Sequence, residues 1–111
     1  MTESEFLALA ESTLDAIEAA AERVVDEDDL DLECSRRGNV LEIELAGNGG
    51  KVIINSQAPM QEMWVAARSG GFHYRRQEAR WIDTRNGSEL FESLSTILSL
   101  QAGQPVVLTS G

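Results

Sequence analysis

The sequence predicts an α+β fold: a two-layer α/β sandwich, with an N-terminal and a C-terminal helix packed on one face of an antiparallel sheet of about six strands. Three observations lead there. A 3.6-residue apolar period opens the chain and another closes it, and between them the period falls to two over six short segments. No helix-length connection separates those segments, so neighbours are joined by hairpins and the sheet is antiparallel. Two one-sided helices and one amphipathic sheet bury their apolar faces in two layers. The 111 residues, 42% hydrophobic and 25% charged, suit one domain over 1–111 with a single core.

The opening helix has a start signal. Thr2 and Glu5 form a capping box, Met1 is placed to staple against Phe6, and the helix runs to about Val25. Phe6, Leu9, Ala10, Leu14, Ile17, Ala21 and Val24 recur three and four apart, so they form the inward stripe. Next, Leu30, Leu32 and Cys34 alternate with Asp31, Glu33 and Ser35, and Leu41, Ile43 and Leu45 alternate with Glu42 and Glu44, as half-buried strands do. "SRRGN" joins these two strands. "AGNGG" turns the chain into Lys51–Asn55, and "EMWVAAR", "GFHYR" and "RWIDT" are three further strands separated by "RSGG" and "RQEA". The closing helix takes Ser88 as N-cap after Asn86-Gly87, with Glu89 and Glu92 in its first turn and Gly103 and Pro105 past its end. Its apolar face is Leu90, Phe91, Leu94, Ile97 and Leu98, and the tail "PVVLTS" is expected to lie over the gap between the helices.

Charge is distributed unevenly. Residues 1–33 hold twelve acids against Arg23 alone, a net −11, while the remainder holds seven acids and eight bases, so the formal charge of −10 comes from the first third. An acidic surface repels phosphate backbones and anionic lipids, so nucleic acid and membranes are not expected partners, and cations and basic proteins are. No apolar run approaches the roughly 20 residues of a membrane span, and the start lacks the basic residues of a leader peptide, which predicts a cytoplasmic protein. The single Cys34 fits a reducing compartment and reads as a small, inward-pointing residue.

Catalytic chemistry finds little support. His73 is the one histidine, no serine sits in a nucleophile-elbow context, and the Gly49-Gly50 and Gly70-Gly71 pairs read as turns rather than phosphate loops. The acidic segment is the stronger candidate. Glu11, Asp15, Glu18 and Glu22 share the outer side of the first helix and lead into Asp26, Glu27, Asp28 and Asp29, followed by Asp31 and Glu33. Carboxylates three and four apart have Cβ atoms about 5–6 Å apart, so two can share a hard cation but not enclose it. Oxygen ligands on an open surface suit Fe²⁺, Fe³⁺, Mn²⁺ or Ca²⁺, bound weakly with water completing the shell. A solvated face and a docking surface for a basic partner are the competing readings. Like-charge neighbours cost about 0.2–0.5 kcal/mol per pair, and a face built only for solubility would interleave lysines. A second feature is a strand-loop-strand corner carrying Asn55, Gln57, Gln61 and Trp64, bent at Pro59. Trp64 is a protein-contact anchor if it lies on the open face of the sheet, and core if it is buried.

These features carry a resemblance. "ESEFLALAESTLDAIE" resembles the first helix of the bacterial frataxin (CyaY) family, "DLDLEC" its first strand, "GGKVIINSQAPMQEMWVAARSGGFHY" its most specific block, and "RWIDTRNGSELFESL" its closing strand and helix. The resemblance implies a helix-sheet-helix sandwich, reversible iron binding on the acidic ridge, and regulation of iron-sulfur cluster assembly through a cysteine desulfurase and a scaffold protein. It places the ridge on Glu18, Glu22, Asp26, Glu27, Asp29, Asp31 and Glu33, and the sheet-surface motif on Asn55, Gln57, Pro59 and Trp64. Ala19 and Arg23 stand where acids are common, and Asp28 adds one. A ferroxidase or iron-storage protein is the alternative it carries. A monomer is expected, with iron-dependent oligomerisation left open.

Overall fold

The structure, a computed structural model, describes residues 1–110. Its elements are α1 (Glu3–Asp28), β1 (Leu32–Arg37), β2 (Val40–Leu45), β3 (Gly50–Gln57), a 3₁₀ turn (Ala58–Met60), β4 (Glu62–Ala67), β5 (Gly70–Gln77), β6 (Arg80–Asp83) and α2 (Leu90–Ala102). The six strands form one sheet in chain order, each neighbour antiparallel, as the short connections require. Both helices lie on one face. Leu41, Ile43, Val52, Ile54, Met63, Val65, Tyr74 and Trp81 line that face of the sheet and meet Phe6, Leu14 and Ile17 of α1 and Leu90, Leu94 and Leu98 of α2 in one buried cluster.

The predicted capping box is present: Glu5 N donates to Thr2 Oγ1 and Thr2 N to Glu5 Oε1. Met1 stays 53% exposed, so a staple on Phe6 buries little, and Phe6 packs edge-on against Trp81. The helix runs three residues past Val25 because no glycine or proline interrupts Asp26–Asp28. It stops where Asp29 adopts a left-handed conformation at φ 55°, a region Asp tolerates better than most residues, and the turn delivers Leu30 to the core.

The first hairpin turn is shorter than "SRRGN". Only Gly38-Asn39 form it, with Gly38 at φ 55°, and Ser35, Arg36 and Arg37 pair in the ladder opposite Glu42, Leu41 and Val40. Alternation from Leu32 and Cys34 therefore turns Arg36 toward the helix layer. The N-cap of α2 is Glu89 rather than Ser88: Glu89 Oε2 and Oε1 accept from Phe91 N and Glu92 N. Ser88 is taken up elsewhere, its carbonyl accepting from Asp83 N and its amide donating to Asn86 Oδ1. The tail follows its expected course. Ser99 and Ser95 hydroxyls accept from Val106 N and Leu108 N, both side chains are buried, and Arg23 of α1 donates to Thr109 O. Among the described residues no helix is long and apolar enough to cross a membrane.

Candidate functional site

The acidic ridge lies along the flank of α1 that overhangs β1, not directly away from the sheet. Asp15 and Glu22 are exposed there, and Glu18 is half-buried. Arg36 reaches up from β1 into this flank, its Nη1 2.7 Å from Asp15 Oδ1 and 3.7 Å from Glu18 Oε1, with its own side chain only 19% exposed. The helix's own Arg23 reaches to the C-terminal tail, so the base on this flank is supplied by the neighbouring strand. Cys34 sits beneath the same flank, half-buried rather than fully inside. Burial, then the carboxylates of Glu18 and Glu22, push its thiol up to about 11, so it stays a protonated, unreactive thiol.

Arg36 divides the ridge in two. Asp15 and Glu18 belong to the half it neutralises, while Glu11 lies a turn further toward the start of the helix and is exposed. Glu22, Asp26, Glu27, Asp28, Asp29 and Asp31 form the other, exposed apart from the helix stripe, and among the described residues none of them makes an ion pair. The last turn of α1 contains no base, so Asp26, Glu27 and Asp28 stand at the negative end of the helix dipole, at a cost of about 0.3–1 kcal/mol each. Glu33 is not part of this group. It points to the opposite face of the sheet, across from Glu44, whose other neighbour is Lys51. Among the described residues no three His, Cys, Asp or Glu side chains converge on one point.

The solvent-facing side of the sheet carries the second candidate. Trp64 belongs to this outer face, half-buried, which settles its position against the core alternative. The register puts Asn55, Trp64 and His73 in one cross-strand row and Gln57, Glu62 and Arg75 in the next. The Trp64 and His73 rings stack, with centroids 4.4 Å apart and planes 8° from parallel. Gln57 Nε2 donates to Asn55 Oδ1 at 2.6 Å, so the two predicted amides hold each other beside the stack. Gln61 is not with them; its amide donates to Met1 O at the far end of the loop.

Sequence reasoning missed Glu62. Its carboxylate accepts from Trp64 Nε1 and from Arg75 Nε, each at 2.9 Å. Burial alone would raise its pKa, but those two hydrogen bonds, with the positive charge of Arg75 and the nearby His73, outweigh it and hold the group below the ordinary carboxylate range. The available signal was the register: a two-residue Arg68-Ser69 turn fixes Glu62 opposite Arg75 and Trp64 opposite His73.

The frataxin-like domain family matches residues 1–104. The chain belongs to the bacterial frataxin (CyaY) family. One relative in that family, the iron-sulfur cluster assembly protein CyaY of Janthinobacterium sp. (strain Marseille), is 63% identical over 108 residues, covering 97% of this chain and 96% of its own. A frataxin from Psychromonas ingrahamii superposes with a TM-score of 0.80 at 32% identity, over 98% of this chain and 99% of the other. Trimeric frataxin from the yeast Saccharomyces cerevisiae, complexed with ferrous iron, shares the fold at a TM-score of 0.73 and 23% identity, over 86% of each chain.

Proposed function

We propose that the protein regulates iron-sulfur cluster assembly by docking the acidic flank of α1 on a basic patch of a cysteine desulfurase, and that the same flank binds Fe²⁺ weakly and reversibly. The sheet face around Trp64 then meets the scaffold protein on which the cluster is built. The name borne by relatives at 63% and 60% identity supports the pathway. The observation that carries the docking and metal roles is the block Glu22–Asp31: carboxylates with no ion-pair partner among the described residues, gathered at the helix end where the dipole disfavours them. A folded domain gains nothing from that arrangement alone. A bound cation or a basic protein surface removes both costs at once, and hard oxygen donors on an open flank suit Fe²⁺ with water filling its remaining positions.

Titration into a reconstituted desulfurase-scaffold reaction tests the proposal. The rate of cluster formation is expected to change with added protein, and the change to depend on Fe²⁺; a rate indifferent to the protein overturns it. The metal role has its own check. With Mn²⁺ as a paramagnetic surrogate, amide broadening is expected to centre on Glu22 to Asp31 and to be weak at Asp15 and Glu18, where Arg36 already supplies a cation. Arg36→Gln should extend the broadening to Asp15 and Glu18. Broadening centred on His73 would contradict the assignment.

A further inference from the structure

Glu62 occupies an outward position of β4, where a carboxylate normally reaches into water, yet it is only 5% exposed. Its two oxygens are shared out. Oε1 accepts from the Trp64 indole and lies 3.7 Å from His73 Nδ1, while Oε2 accepts from Arg75 of the adjacent strand. The Trp64 ring is consequently held at two places, on one face by the imidazole stack and at its N–H edge by the carboxylate. A stack on an open sheet leaves an aromatic ring free to slide and to change rotamer; a directional hydrogen bond to a buried charge does not. Arg75 fixes the carboxylate in turn. The result is a large amphipathic side chain already ordered before any partner arrives, and a preordered contact loses less entropy on binding.

The geometry points to Glu62 as the positioning residue of this surface: it touches no partner itself but locks Trp64 into its stack on His73, in the orientation the scaffold protein meets. The partner's identity rests on the sheet-face reading given above; the hold on the ring does not.

The test uses the full chain labelled with ¹⁵N and two variants, Glu62→Ala and Glu62→Gln. Glutamine keeps an oxygen for the indole but not the charge that anchors Arg75. Glu62→Ala is expected to shift and broaden the Trp64 indole N–H resonance, with Glu62→Gln partly restoring it and the Trp81 indole, bonded to Thr13 inside the core, serving as the unmoved reference. Scaffold affinity should fall by about tenfold in Glu62→Ala and no further when that change is added to Trp64→Ala, because a positioning residue acts only through the ring it positions. An unmoved Trp64 resonance, or losses that simply add in the double variant, overturns the proposal. If Trp64→Ala leaves scaffold affinity unchanged, the sheet-face reading fails by itself, and the indole resonance still decides whether Glu62 holds the ring.

Discussion

Reversing Glu18 and Glu22 to lysine is expected to weaken desulfurase binding by at least about tenfold at low salt, because it inverts two neighbouring charges in the field that steers a basic partner. The two residues are one turn apart on the flank of α1, outside the buried stripe of Phe6, Ala10, Leu14, Ile17 and Val24, so the fold does not depend on them. Glu22 is exposed. Glu18 is half-buried next to Arg36, so a lysine there faces a guanidinium across the 3.7 Å now spanned by an ion pair. The pair is part-buried and the lysine adds a like charge beside Arg36, so a stability loss of about 1–2 kcal/mol is expected, short of unfolding the domain. Equilibrium unfolding checks the fold, and binding measured across a salt series checks the mechanism. Wild-type affinity should fall steeply as salt rises, whereas the doubly reversed protein should be weaker at low salt and show a shallower salt dependence. Equal affinity for both proteins at low salt would remove the acidic flank from the interface.

The arrangement on which that result depends was only partly legible in the sequence. The capping box of α1, the apolar stripes of both helices and the alternation of the strands are local patterns, set by residues within a turn or two of one another, and they appear in the structure with small shifts: Leu9 and Cys34 are only partly buried, and Thr13 and Ala20 join the buried face of α1. The ridge was legible for the same reason, since its members share a helix. What stayed hidden is tertiary. Arg36 meets Asp15 across 21 residues of sequence, and treating "SRRGN" as a loop removed it from the strand whose alternation aims it at α1. Glu62 and Arg75 pair only once the hairpin turn is cut to two residues. Ser88 read as a cap because serine favours that position, but its backbone was needed to pair with Asp83, and the cap moved to Glu89. Each miss is a competition for a backbone or side-chain partner that no sequence window contains.

The two tryptophans should separate stability from contact, with the largest loss of stability expected from Trp81→Ala. Trp81 is 2% exposed, packs edge-on against Phe6 at 5.9 Å, lies under the Arg76 guanidinium at 5.4 Å, and donates from Nε1 to Thr13 Oγ1 at 2.8 Å. That hydroxyl donates onward to Leu9 O at 2.7 Å, so one indole ties β6 to the middle of α1. Truncation leaves a cavity that the two layers cannot close without moving the helix, and large aromatics in such sites cost about 3–5 kcal/mol. Set against the roughly 5–15 kcal/mol that holds a typical domain together, this is enough to bring the protein near its unfolding threshold. Trp64→Ala removes a ring of similar size from the opposite face of the same sheet. The stack on His73 and the Glu62 bond are lost there, Arg75 keeps its bond to Oε2, and removal of the ring opens Oε1 to water, so about 1 kcal/mol is expected. Urea unfolding of both variants measures the difference. In binding experiments Trp81→Ala should lower desulfurase and scaffold affinity together, in proportion to the unfolded fraction, whereas Trp64→Ala should spare the desulfurase and lose the scaffold. A Trp64→Ala variant as unstable as Trp81→Ala would mean that its ring serves the fold and that the outer face of the sheet is not the contact surface.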